Sequence, residues 1–139
     1  MGMTRRAIIV HDRGQALAAL DAAKTTGAPV LLLTAPGAAR YAGPDYLFAL
    51  VTEALAARQG TPAETAIDCG EDAGVAMAAL RAGWKTLVFV GPAAVREKIE
   101  SMAEQMGAAV LADAPEAVDI GTGPDAGKRA SAWLRQSPA

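Results

Sequence analysis

The sequence predicts a three-layer α/β/α sandwich built on about five parallel strands, and three observations predict it. Five short apolar runs alternate with helical segments from one end of the chain to the other. Four of these runs are continuously apolar, as strands covered on both faces are. Proline stands at the start of several intervening segments and glycine just past their ends, the asymmetry of helix boundaries.

The first run, Ala7-Ile8-Ile9-Val10, leads into a helix that Asp12 and Gln15 open as a capping box and Gly27 closes. Val30 to Leu33 is the second strand, and a helix from Pro44 to Gly60 follows the long loop Thr34 to Gly43. Thr65-Ala66-Ile67 gives the third strand, and its helix runs from about Asp72 to Ala82 and stops at Gly83. Thr86 to Val90 is the fourth strand, with a helix opened by Pro92 and ended by Gly107. Ala109-Val110-Leu111 is the fifth, and a last helix starts near Pro124 and passes through Trp133 and Leu134. Gln136 to Ala139 read as a loose tail. The expected strand order is flavodoxin-like, 2-1-3-4-5, with the Rossmann-like order 3-2-1-4-5 as the alternative.

A chain of 139 residues supports one domain with one core. Of its apolar residues 34 are alanine, which calls for closely packed helices. A net charge of -2, a pI near 5.3 and 4% aromatic content exclude the basic, stacking surface of a nucleic-acid binder. His11 is the sole histidine and Cys69 the sole cysteine, so a zinc cage or disulfide within one chain is excluded and a reducing cytoplasm fits. The basic stretch Met1 to Arg6 precedes an apolar run too short for a signal peptide or a membrane span. Serine occurs only at Ser101, Ser131 and Ser137, never in a G-x-S-x-G setting. Lys85 starts a strand and Lys24 and Lys98 lie in helices, which argues against a Schiff base.

In a doubly wound sheet the residues after each strand line the ligand crevice. Here they are His11, Asp12 and Arg13, then Asp68, Cys69, Gly70, Glu71 and Asp72, then Gly91, then Asp113. The 2-1-3-4-5 order makes the first and third strands neighbours and brings His11 and Asp12 to Asp68 and Cys69. Two chemistries compete there with bland alternatives. His11 activates a Cys69 thiolate, or Cys69 is a buried packing residue. Asp12, Asp68 and Asp72 hold Mg²⁺, or Asp12, Glu71 and Asp72 simply cap helices. Acidic groups at those two strand ends are similar to the phospho-acceptor pocket of response-regulator receiver domains, whose chemistry also needs a hydroxyl after the fourth strand and a lysine after the fifth. Gly91 and Asp113 occupy those places, and no family is assigned.

Gly121 to Arg129 fails the P-loop spacing, and His11-Asp12-Arg13-Gly14 fails the dinucleotide fingerprint. Lys128 in the first turn of the last helix leaves room for an anion there. In the loop from Thr34 to Gly43, either Arg40 clamps an anionic group and Tyr41 covers it, or the loop is a structural crossover. The leading functional expectation is a non-catalytic domain that binds a small anionic metabolite through Arg13, Arg40 and helix N-termini. An enzyme centred on Cys69 and His11 or on an Asp12 and Asp68 magnesium site, and an interaction module without ligand, are the alternatives. The nearly all-apolar stretch Val75 to Leu80 predicts a homo-oligomer, a dimer above all.

Overall fold

Capping residues set the element boundaries in the computed structural model, which describes residues 6–136. Expectations for Met1 to Arg5 and for the tail from Ser137 lie outside the described residues. After strand β1 (Arg6–Val10), Asp12 turns extended at φ -151°, accepts the Gln15 N–H at 2.8 Å and opens helix α1 (Arg13–Thr26). Gly27 ends α1 at φ +73°, a conformation that costs glycine nothing. Then come β2 (Val30–Thr34), a short α2 (Ala38–Ala42), α3 (Pro44–Ala57) and β3 (Ala63–Asp68). Asp72 caps α4 (Ala73–Ala82) by accepting the Val75 N–H at 3.0 Å. The chain continues through β4 (Thr86–Val88), α5 (Ala93–Gln105), β5 (Ala109–Leu111), β6 (Ala117–Asp119) and α6 (Ala126–Arg135).

The α/β class and the parallel sheet are as expected, whereas strand number and order differ. There are six strands in the order β5-β4-β3-β2-β1-β6. Pairing is parallel where β1 meets β6, with Ile8 opposite Val118, and where β4 meets β3 and β5. Each helical crossover from β1 to β5 carries the chain to the next place in the same direction, so no reversal occurs at β1. A doubly wound order needs that reversal. Without it β2 separates β1 from β3, and β6 takes the other side of β1.

Two compact units divide the chain: Met1–Leu33 with Leu50–Glu64 and Pro115–Ala139, and Thr34–Ala49 with Thr65–Ala114. In the first, Ala7, Ile8, Leu20, Ile120, Ala130 and Leu134 are buried together with small residues of α1. Trp133 donates its indole N–H to Ala7 O at 2.9 Å, and the Arg6 guanidinium lies 4.2 Å from its ring centre. In the second, Trp84 and Phe89 are the largest buried side chains. Trp84 donates to Pro44 O at 3.0 Å and meets Phe48 edge to face at 5.6 Å, so its polar handle is satisfied without water.

Candidate active site

β3 ends in a carboxylate, and hydrogen bonds of the main chain around it fix it. The Asp68 N–H donates to the hydroxyl of fully buried Thr34 at 2.9 Å, and the Gly70 N–H donates to Asp68 Oδ1 at 2.9 Å. Gly70 adopts φ +57°, which lets the chain turn back while its carbonyl accepts the Val90 N–H at 2.8 Å. Cys69 N–H donates to Val88 O at 2.9 Å, so the strand end is held to β4. Asp68 is 9% exposed, and no donor among the described residues reaches its second oxygen. It faces a cavity of about 680 Å³ lined by Gly37, Arg40, Gly70, Glu71, Asp72 and Val90 among others. The Arg40 Nε stands 3.6 Å from Asp72 Oδ2.

Cys69 lines the same cavity, in surroundings that disfavour a thiolate. Burial, reinforced by the charges of Asp68 and Asp72, pushes its thiol up to about 12, so the thiolate is absent near neutral pH. Its S–H points back to Ile67 O at 3.9 Å. His11 follows β1, which is not a neighbour of β3 in the observed order, so the premise on which His11 and Asp12 were paired with Asp68 and Cys69 does not hold. The expected Asp12 and Asp68 magnesium pair rested on the same strand order.

His11 has a different partner, one that sequence reading missed. Its Nε2 meets Asp119 Oδ2 at 2.8 Å, and Asp119 Oδ1 accepts the Gly121 N–H at 3.0 Å. The His11 hydrogen bond first, then the Gly121 N–H, hold the Asp119 carboxyl below its ordinary range. Gln15 closes the ring: its side-chain amide donates to Gly121 O at 2.8 Å and accepts the His11 N–H at 2.7 Å. This ring supports a second cavity of about 470 Å³, lined by Asp12, Gln15, Ala18, the turn Gly121 to Pro124 and the start of α6 at Ala126 and Gly127 among others. The signal for Asp119 was the run Ala117-Val118-Asp119-Ile120, a strand interrupted by one charge.

Of the remaining expected ligand residues, Glu71 and Asp72 line the larger cavity, Asp72 doubling as the α4 cap. Tyr41 is 91% exposed on α2. Arg13 and Lys128 are exposed in the first turns of α1 and α6 and line neither cavity. Gly91 serves packing: a Cβ there would lie 2.6 Å from the ring of buried Phe89.

Residues 2–113 match the family described as class II fructose-bisphosphate aldolase. The chain belongs to that family. A curated relative, the fructose-bisphosphate aldolase of Xanthobacter flavus, is 33% identical over 82 residues, which make up 59% of this chain and 23% of the relative. The chain thus spans under a quarter of that relative's length. For an aldolase-family chain the expectation of a non-catalytic metabolite-binding module without a family is overturned, because the match covers most of the sequence. No spacing motif in the sequence signalled it. All residues lining the Asp68 cavity fall inside the match, whereas Gly121 to Pro124, Ala126 and Gly127 of the other cavity lie beyond it.

Proposed function

We propose that this aldolase-family chain acts on a small phosphorylated carbonyl compound in the Asp68 cavity, with Asp68 moving the proton of an aldol reaction. The observation that carries the reading is the open oxygen of a nine-tenths buried carboxylate, fixed through its other oxygen and its own N–H. In aldol cleavage a base takes the proton of the β-hydroxyl, the carbon–carbon bond breaks, and its electron pair passes to the carbon beside the carbonyl, which is then protonated. Asp68 is held rigidly enough to serve either proton transfer.

The electron pair needs a sink, an iminium on a lysine or a Lewis-acid cation. The described residues fit neither. Lys85 donates to Met106 O at 3.0 Å, no lysine lines the cavity, and no group of three or more His, Cys, Asp or Glu among the described residues is placed to hold a metal ion. No step is therefore assigned to a sink, and this chain's share is binding and proton transfer.

A cytoplasmic homodimer completes the reading. Among the described residues no helix is long and apolar enough to cross a membrane. Val75, Met77 and Ala78 of α4 stay half-buried, a face for a second copy. The test is cleavage of fructose 1,6-bisphosphate, measured with and without added Mg²⁺, Zn²⁺ and Co²⁺. Turnover that falls at least roughly a hundredfold in Asp68→Asn supports the reading, by the usual worth of a general base. Turnover indifferent to that substitution, or none under any condition, contradicts it.

A further inference from the structure

We propose that α2 is a glycine-hinged lid on which Arg40 exchanges its ion pair with Asp72 for the phosphate of a bound substrate, while Tyr41 closes over it. This rests on the Asp68 cavity being the site of that substrate, and it names the group that selects a phosphate ester there.

The hinges are Gly37 at φ +81° and Gly43 at φ +89°. At neither position does any atom lie within 4 Å of an added Cβ, so glycine is present for its backbone freedom and not for packing. Between them stand five helical residues, of which only Ala39 is buried. Among the described residues the ion pair that links α2 to the rest of the unit is Arg40–Asp72, and it is loose. The Arg40 Nε stands 3.6 Å from Asp72 Oδ2, longer than a hydrogen bond, while Asp72 Oδ1 accepts the Val75 N–H. A guanidinium presents a fork of donors that a phosphate can meet with two oxygens at once, which this carboxylate cannot. Asp72 keeps its capping bond when Arg40 leaves, so the exchange does not unwind α4.

Charge makes Arg40 decisive. The cavity carries the carboxyl groups of Asp68, Glu71 and Asp72 against one guanidinium, so an anion is repelled wherever Arg40 does not reach. Tyr41 is 91% exposed, more than any other large apolar side chain of the described residues, and is the neighbour of the anchoring arginine. An aromatic ring held in water beside a cavity mouth gains a burial partner when the lid closes on a ligand.

The measurement uses the full chain with Tyr46→Phe and 3-fluorotyrosine, which leaves one fluorine reporter, at Tyr41. Titration with inorganic phosphate and then dihydroxyacetone phosphate is expected to shift the Tyr41 signal saturably. Arg40→Ala should weaken both responses at least roughly tenfold, and Arg40→Lys should restore part of the loss. Asp72→Asn, which retains a capping side chain, should tighten binding several-fold by removing the competing charge, an effect that a merely structural ion pair does not produce. A Tyr41 signal unmoved while calorimetry shows phosphate bound, wild-type affinity in Arg40→Ala, weaker binding in Asp72→Asn, or a response to malonate but not to phosphate would each overturn the proposal. If the lid responds but Asp68 moves no proton, the lid stands and the aldol reading falls; if Asp68 moves the proton equally well in Arg40→Ala at low substrate, the lid falls alone.

Discussion

Single residues decide the chemistry of each strand end. Cys69 is expected to resist iodoacetamide at pH 8 in the folded protein and to react on unfolding, because its raised pKa and burial act together; rapid labelling of the native chain would refute this. The Asp119 carboxyl titrates lower in the folded state, so its pairing contributes stability that is fully present above the unfolded carboxylate value and is lost as pH falls through the lowered one. His11→Ala should raise the Asp119 pKa toward the ordinary range, read by NMR titration of its carboxyl carbon. Gly91→Ala should cost about 1–3 kcal/mol in urea unfolding, since an added Cβ would lie 2.6 Å from the ring of fully buried Phe89 and force it to shift.

At the scale of elements, β6 and the turn after it depend on the ring of His11, Gln15, Gly121 and Asp119. Gln15→Leu leaves the His11 N–H and the Gly121 carbonyl without partners and should destabilise by about 1–3 kcal/mol, with hydrogen exchange faster in β6 and unchanged in β4. Element boundaries were legible because they are local events: Asp12 and Asp72 open helices, and Gly27 and Gly83 close them, through contacts within four residues. The α2 helix was hidden because five residues between two glycines carry no periodicity, and β6 because Asp119 broke a short apolar run. Strand order was illegible for a different reason. It is decided by which neighbour each crossover reaches, and doubly wound and one-directional winding share the same local pattern. That choice governed the site. Asp68, Asp72 and Arg40 were found as candidates from their positions, but their pairing with His11 and Asp12 rested on an order the chain does not adopt.

For the whole molecule, a dimer through the half-buried face of α4 predicts about twice the 14.1 kDa chain mass by light scattering at micromolar concentration. Met77→Asp should split it and Gln59→Asp should not. A single-chain mass for the unaltered protein contradicts the dimer. The central claim, that Asp68 moves a proton next to a phosphorylated carbonyl, is tested most directly by deuterium exchange. The protein is incubated in D₂O with dihydroxyacetone phosphate, with and without added divalent cations, and NMR follows loss of the proton signal at the hydroxymethyl carbon. The account predicts exchange above the buffer rate that Asp68→Asn abolishes while phosphate binding persists. Exchange no faster than in buffer under every condition, or equally fast in Asp68→Asn, would contradict it.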